Sequence, residues 1–339
     1  MIYKTIVSGQ LEFGTKKAYD KVFKMYQHRI ENYYKTDLFI NLDEGFNEEN
    51  FTLHIPRIVT ESTRKNWKNT ISLLEYLAQF SMAGRLTLFM VENGTIIEDE
   101  LIEPVCDKVA VQAFLQGRSL EEEKGKEKEA MSAYDKAINK YERHAYAYEK
   151  RGYIKLKLKD LEGAFTDFSK SIAINPNIPE PFVGKGIVQM MRKEFKTATF
   201  DFESACRNAI PLQSIYWQSK KMKAECHLNL GEHAEAIKEL KAFCRRSFKP
   251  GDPNLNHVDW AWFNYGKALL EIGDSESALD IFNKSYERNK NIETGIGPDY
   301  LVYRGIAKQR IGKTGYLKDW AKAAEKGSKK ASELLETDS

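Results

Sequence analysis

The sequence predicts a chain of two parts, a two-layer α/β sandwich over residues 1–108 and an all-α solenoid over residues 109–339. Two observations support this prediction. Segments rich in β-branched and aromatic residues alternate with helical patterns up to about residue 108, and then they stop. Beyond that point small residues recur about every 34 residues within successive helical segments, which indicates stacked helical repeats.

The composition is that of a folded chain and excludes several classes of protein. Of 339 residues, 42% are hydrophobic and 30% are charged, with 52 Lys and Arg against 49 Asp and Glu. These values argue against a disordered tail, a collagen or a small disulfide scaffold. The net charge of +3 is too small to suggest a dedicated nucleic-acid binder.

The same sequence carries no targeting or membrane signal that we recognise. No apolar run approaches the ~18 residues that span a bilayer, so no membrane insertion is expected. Residues 1–14 lack the apolar core and cleavage site of a signal peptide. The four cysteines are far apart, and free thiols in a reducing compartment are the simplest interpretation. We therefore expect a cytoplasmic protein.

The first part opens with a strand over residues 1–13. Thr15 is placed to cap a helix that continues to about Tyr34, since apolar residues recur there at helical spacing. Residues 37–42 (DLFINL) predict a short strand, and residues 43–49 form an acidic loop that contains a glycine.

A third strand is predicted over residues 50–60, where apolar residues alternate until Pro56 interrupts them. A proline at that point argues for an edge strand or a bulge, because it cannot donate to the hydrogen-bond ladder. Ser62 or Thr63 then opens a second helix that continues to about Phe80.

Two more strands, over residues 84–92 and 95–102, flank Asn93-Gly94, the strongest short hairpin signal in the chain. The order is βαββαβ plus one strand, which predicts a ferredoxin-like sandwich or a relative of it. Such sheets also occur in RNA-binding domains. The strand over residues 50–60 lacks the aromatic platform that RNA binding needs, so no nucleic-acid partner is expected.

The helical repeats share the same residue types at fixed positions, in the order aromatic, glycine, alanine and a second aromatic. Over residues 145–178 these positions are Tyr148, Gly152, Ala164, Phe168 and, at the end, Pro176. They recur over residues 179–212 as Phe182, Gly186, Ala198, Phe202 and Ala205, and over residues 259–292 as Trp262, Gly266, Leu269, Ala278 and Phe282. A small residue at the second position lets two paired helices approach closely.

These residues resemble the signature of the tetratricopeptide repeat (TPR) family from about residue 109 to the end. Weaker copies fill the remaining sequence, which gives about six helix-turn-helix repeats with a short closing helix over residues 329–335. The N-terminal part resembles no family that we recognise.

The resemblance implies that the first helix of each repeat lines a concave groove that binds a protein or a peptide. The implied groove residues are Tyr146, Glu149, Tyr153, Val183, Ile187, Met190, Lys221, Glu225, Trp260, Phe263, Lys267, Val302 and Ile306. Family members that hold acidic chaperone tails use a Lys/Asn/Arg clamp, whereas Glu149, Tyr153, Val183 and Ile187 occupy those positions here. An acidic chaperone tail is therefore not expected, and an amphipathic helix or an apolar extended segment suits the groove better. Alternatively, Trp260, Phe263 and Tyr146 pack against the neighbouring repeat or are covered by the N-terminal domain.

No catalytic, cofactor or metal site is predicted. Residues 9–16 approach a phosphate-binding loop, but Lys16 and Thr15 stand in the reverse order and the α/β part is too short for that fold. The six histidines show no metal-binding spacing. The sequence thus predicts a non-enzymatic interaction scaffold with an unidentified protein or peptide partner.

An alternative function makes residues 1–108 a catalytic or small-ligand module that the repeats deliver to a target. The acidic segments 43–49 and 98–103 would be its working parts. No flexible spacer separates the two parts near residues 106–110, so we expect the α/β part to dock on the repeats.

Overall fold

A computed structural model describes residues 1–34, 37–289 and 297–337 of the chain. It forms two compact units, Met1–Val188 and Gln189–Ser339. The first unit contains the α/β part together with the first helical repeats, and the second contains the later repeats. The division of the sequence at residue 108, by contrast, separates two kinds of secondary structure and remains a proposal about domains.

The α/β part contains one five-stranded sheet. Its strands are β1 (Ile2–Glu12), β2 (Phe46–Asn47), β3 (Thr52–Thr63), β4 (Ala83–Glu92) and β5 (Thr95–Ile102). They lie in the order β2-β3-β1-β4-β5, and every neighbouring pair is antiparallel. The predicted sandwich and its order of elements are confirmed.

Two helices, α1 (Lys16–Arg29) and α2 (Arg64–Ala78), pack with the sheet around one apolar core. The side chains of Thr15 and Thr63 each accept a hydrogen bond from a backbone N–H in the first turn of the helix that follows. Thr63, rather than Ser62, therefore caps the second helix. A single π-helical turn extends α1 to Tyr34, as far as the sequence predicted.

The strand predicted over residues 37–42 is wrong. The backbone N–H of Phe39 donates to Thr70 Oγ1 of α2, and that of Leu42 donates to the Tyr26 hydroxyl of α1. The segment therefore places backbone donors on side chains of the two helices and pairs with no strand. The short β2, later in the chain, takes the outer place in the sheet instead.

Pro56 lies in a bulge on an edge, as its position predicted. Pro56 and Arg57 of β3 together stand opposite the single residue Ser8 of β1, where the register shifts. Because β2 pairs only with the first two residues of β3, Pro56 also has no strand on its other side. The hairpin between β4 and β5 turns at Asn93-Gly94, and both residues have positive φ, at 50° and 75°.

Thirteen helices follow the sheet in the described part of the chain. They are α3 (Val109–Glu121), α4 (Glu127–Lys140), α5 (Ala145–Lys157), α6 (Leu161–Ile174), α7 (Pro179–Met191), α8 (Phe195–Asn208), α9 (Ser214–Asn229), α10 (His233–Arg245), α11 (Val258–Glu271), α12 (Ser275–Asn289), α13 (Pro298–Arg310), α14 (Tyr316–Glu325) and α15 (Lys329–Thr337). Consecutive helices pack as helical hairpins, among them α3 with α4, α5 with α6, α9 with α10, α11 with α12, and α13 with α14. The last residues of the predicted repeat 259–292 lie outside the described residues.

The recurring glycines bring paired helices together by facing an aromatic ring. A Cβ atom built on Gly152 would lie 2.8 Å from the Phe168 ring, and one on Gly266 would lie 2.5 Å from the Phe282 ring. Both distances are shorter than any side chain tolerates, so only glycine allows these rings to sit against the helix backbone. The same arrangement pairs Gly117 with Tyr134 and Gly305 with Trp320.

Candidate protein-binding surfaces

In the first unit the sheet covers one of the predicted groove positions. Arg85 of β4 places its guanidinium 4.4 Å from the centre of the Tyr146 ring on α5, and only 7% of Tyr146 is exposed. A cation over an aromatic face at this distance is attracted by the negative face of the ring. At Tyr146 the structure therefore supports the alternative that the N-terminal domain covers the position.

Charged contacts extend this docking of the sheet on the first repeats. Arg85 forms an ion pair with Glu103 (Nη2 to Oε1, 2.7 Å), and Arg118 of α3 pairs with the other oxygen of the same carboxylate. Burial alone would raise the pKa of Glu103, but the two guanidinium groups outweigh it and hold that pKa below its usual value. Because no flexible spacer separates the two parts, we predicted that the α/β part docks on the repeats, and these contacts join them.

A second contact point lies at the end of β1. The Tyr141 hydroxyl donates to Glu12 Oε2 (2.6 Å), and Arg143 Nε lies 3.3 Å from the same oxygen. Glu12 is only 3% exposed: Tyr141 and Arg143, between α4 and α5, bind its Oε2, and the side chain of Gln10 in β1 donates to its Oε1 (2.7 Å). The α/β part thus contacts the repeats through two separate buried carboxylates.

Glu149, another predicted groove residue, is buried on α5 with 1% of its surface exposed. Burial raises the pKa of its carboxyl group to about 7, and the negative charge of Glu180 adds to this rise. Lys150, whose Nζ lies 3.6 Å from Glu149 Oε1, opposes the rise without cancelling it. Glu149 therefore takes up a proton in the folded chain near neutral pH.

This raised pKa makes the stability of the chain depend on pH. A carboxyl group with a pKa of about 7 when folded and about 4.5 when unfolded stabilises the fold fully below pH 4.5, and it loses that contribution as pH rises through 7. The variant Glu149→Gln cannot ionise. We expect it to equal wild type below pH 4.5 and to exceed it by about 3 kcal/mol at pH 8, measured by chemical denaturation. A stability difference that does not change with pH would contradict the assignment.

The remaining predicted positions of the first unit are partly available. The Tyr153 hydroxyl donates to the backbone oxygen of Glu180 (2.7 Å), and its ring meets Phe168 edge to face at 4.9 Å. Val183 is buried at 1% exposure, whereas Ile187 is half-buried. Tyr153 and Ile187 thus keep some surface, and Val183 has almost none to offer a ligand.

In the second unit three predicted positions lie on α11, and neighbouring helices add to them. Lys221 of α9 holds its ammonium 4.8 Å from the Trp260 ring, and Lys267 lies between the rings of Phe263 (5.5 Å) and Tyr303 of α13 (4.9 Å). The Phe263 and Tyr303 rings are 5.6 Å apart and nearly perpendicular. All five side chains are half-buried. We call Lys221, Trp260, Phe263, Lys267 and Tyr303 the aromatic–lysine surface.

The other predicted residues of the second unit differ in their exposure. Glu225 pairs with Lys221 (2.7 Å) beside the aromatic–lysine surface. Met190 and Ile306 are half-buried, whereas Val302 has no exposed surface and packs in the core of the last repeat. Val302 therefore supports the fold and cannot contact a ligand directly.

Sequence reasoning missed Tyr303 and Arg85. Tyr303 stands one residue beyond the groove position that the repeat spacing assigns to Val302. Arg85 could have been found, because it is a charged residue directly before the largely apolar strand residues LTLFMV. Its partners Glu103 and Tyr146 are distant in sequence, however, and no local pattern connects them.

The segments that the sequence analysis weighed as phosphate-binding or catalytic make ordinary structural contacts in the described residues. Strand β1 continues to Glu12, and Lys16 pairs with Glu48, so residues 9–16 form no phosphate-binding loop. Glu98 pairs with the exposed Arg64. In the described ranges no three His, Cys, Asp or Glu side chains are grouped to hold a metal ion, and none of the described helices combines the length and apolar character needed to cross a membrane.

Comparisons with known proteins agree with the helical-repeat architecture. Profiles described as tetratricopeptide repeat match residues 113–144, 145–178 and 261–292. The solved structure of YrrB, described as a TPR protein with an unusual peptide-binding site, is 18% identical with a TM-score of 0.52, covering 61% of this chain and 99% of that chain. PilF of Pseudomonas aeruginosa is 12% identical with a TM-score of 0.50, covering 68% and 98% respectively. No curated protein matches the sequence significantly.

The helices and their glycine–aromatic contacts define a helical-repeat protein built on a small α/β part. Three stretches of its repeats, residues 113–144, 145–178 and 261–292, match models of the tetratricopeptide repeat. No family profile matches the N-terminal region. These repeats support a role as a protein-interaction scaffold.

Proposed function

We propose that this chain is a non-enzymatic scaffold that binds a peptide segment of a partner protein along the aromatic–lysine surface of its second unit. The observation that supports this most directly is the row of half-buried rings on α11 and α13, each with a lysine ammonium beside it. Aromatic side chains supply most of the binding energy at protein interfaces, because they bury a large area with few rotatable bonds.

The geometry of this surface favours an extended or helical segment over a small molecule. Trp260, Phe263 and Lys267 follow one face of α11 at spacings of three and four residues. A partner segment lying across them would meet apolar rings with cationic edges. Lys221 and Lys267 would then set its register through polar contacts, while the rings bury its apolar side chains.

Within the first unit we propose a smaller part in binding. Tyr146 and Glu149 contact the sheet or lie buried, so they act by holding the repeat in place. Tyr153 and Ile187 keep exposed surface and are the candidates there for contact with a partner.

The proposal is tested with a random peptide library displayed against the full chain, followed by calorimetry of the selected peptides. Trp260→Ala and Phe263→Ala are each expected to weaken binding at least about tenfold, because each removes a central aromatic anchor. The matched control is Phe200→Ala, which removes a ring that is 65% exposed on α8 and outside this surface.

Circular dichroism of each variant would establish that the repeats remain folded. Selected peptides that bind Phe263→Ala and Trp260→Ala as tightly as wild type would overturn the proposed site. A library from which no peptide is enriched would overturn peptide binding itself.

A further inference from the structure

A cavity of about 310 Å³ lies on the other side of α11 from the aromatic–lysine surface. It lies between α10, α11 and α12 of the second unit and is partly open to solvent. Its lining residues are Lys241, Cys244, Arg245, Trp262, Tyr265, Ser277, Asp280, Ile281 and Lys284. This volume is at the lower end of the range for ligand pockets, so it suits a small ligand or a single terminal residue.

The charges around the cavity are predominantly positive. Of its three cationic residues, Lys284 is paired with Asp280 (2.6 Å). Lys241 and Arg245, one helical turn apart on α10, form no ion pair in the described part of the chain. Two unpaired cations beside one cavity favour an anionic group there.

Part of the lining is apolar, and one of its residues carries an unsatisfied donor. The rings of Trp262 and Tyr265 and the side chain of Ile281 form this apolar part. The Trp262 Nε1–H is buried and has no hydrogen-bond acceptor among the described residues. An indole N–H can only donate, and a buried donor without an acceptor is rare in folded proteins.

We propose that this cavity binds a carboxylate joined to an apolar group. Lys241 and Arg245 hold the carboxylate, and the Trp262 and Tyr265 rings contact the apolar group. This chemistry is shared by a small organic acid and by the carboxyl-terminal residue of a polypeptide that ends in an apolar side chain. The site does not depend on the peptide-binding surface described above, because it uses other helices and another face of α11.

The apolar group distinguishes this site from one for a bare anion. A phosphate or sulfate ion would leave the aromatic wall in contact with water and would gain only from the two cations, which are exposed to solvent. A ligand with an apolar part also removes the ring surfaces from water. Binding is therefore expected to require both parts of the ligand.

The test follows the Trp262 indole N–H resonance of the ¹⁵N-labelled full chain, assigned by its loss in Trp262→Phe. Four probes are titrated: N-acetyl-leucine, N-acetyl-leucinamide, inorganic phosphate and the tetrapeptide Ala-Ala-Ala-Leu with a free carboxyl terminus. N-acetyl-leucine is expected to move the resonance, and the neutral amide and phosphate are expected to leave it in place. Lys241→Ala and Arg245→Ala should each weaken N-acetyl-leucine binding about tenfold, the loss of one charged hydrogen bond.

The matched control is Lys238→Ala, which removes an exposed lysine of the same helix that pairs with Glu235 outside the cavity. A tetrapeptide that binds at least tenfold more tightly than N-acetyl-leucine would identify a polypeptide carboxyl terminus as the source, and equal affinities would identify a small acid. Equal binding of the amide or of phosphate, an unchanged affinity in both alanine variants, or no shift with any probe would overturn the proposal.

Discussion

Replacing Phe168 with alanine is expected to lower the free energy of unfolding by about 4 kcal/mol. The Phe168 ring on α6 is fully buried. It packs so closely on two glycines that a Cβ atom added to Gly152 would lie 2.8 Å from the ring, and one added to Gly184 would lie 2.3 Å from it. Its removal leaves a cavity that these glycines cannot fill, because they have no side chains. Chemical denaturation of wild type and variant measures the difference.

The control for this substitution is Phe200→Ala, which removes the same ring from an exposed position on α8. That change should cost less than about 0.5 kcal/mol. Since Tyr153 packs edge to face on Phe168, the variant should also make the Tyr153 ring more mobile, which its aromatic NMR signals would reveal. A loss below 1 kcal/mol for Phe168→Ala would show that the glycine–aromatic contact does not hold the repeat together.

Replacing Arg85 with alanine is expected to lower the free energy of unfolding by about 3 kcal/mol. The substitution leaves the Glu103 carboxylate, 10% exposed, with Arg118 as its remaining cation, and it uncovers the Tyr146 ring. A buried charge that loses its partner is costly because water cannot reach it. Hydrogen exchange on α5 should also accelerate, since the sheet no longer holds that helix.

Arg64→Ala is the matched control for this charge deletion. Arg64 belongs to the same α/β part, but its ion pair with Glu98 is exposed, with side-chain exposures of 53% and 35%. Exposed pairs contribute less than about 1 kcal/mol, so this variant should be close to wild type. Equal losses for Arg85→Ala and Arg64→Ala would contradict the assignment of the Arg85–Glu103 pair as a buried, structural contact.

Local patterns predicted most of the fold. The repeat spacing located the helical hairpins because a glycine opposite an aromatic ring recurs in several repeats, as at Gly266 and Phe282. The caps at Thr15 and Thr63 and the turn at Asn93-Gly94 followed from side-chain chemistry within a few residues. These signals are local, and a sequence displays them directly.

The strand predicted over residues 37–42 was wrong because non-local contacts decide its structure. Its short apolar run Leu38–Ile40 is typical of a strand, but helices α1 and α2 supply hydrogen-bond acceptors at Tyr26 and Thr70. Tertiary contacts therefore override the local preference, and nothing in six residues could reveal them.

The candidate binding positions were only partly predictable. The repeat spacing placed Trp260, Phe263 and Lys267 on one helix face, where the structure brings them beside Tyr303. It could not foresee that β4 would cover Tyr146, since that contact joins residues 61 positions apart (146 − 85). Whether these residues bind a partner stays a prediction.

The guanidinium of Arg85 over Tyr146 has a practical consequence for the design of truncated proteins. A fragment that starts at Val109 would lose Arg85, Glu12 and Glu103 together, and the repeats would then present Tyr146, Tyr141 and unpartnered arginines to water. Such a fragment would expose a surface prone to non-specific binding, which the intact chain keeps covered. Affinities measured on excised repeats would therefore include contacts that no natural ligand of the whole protein encounters.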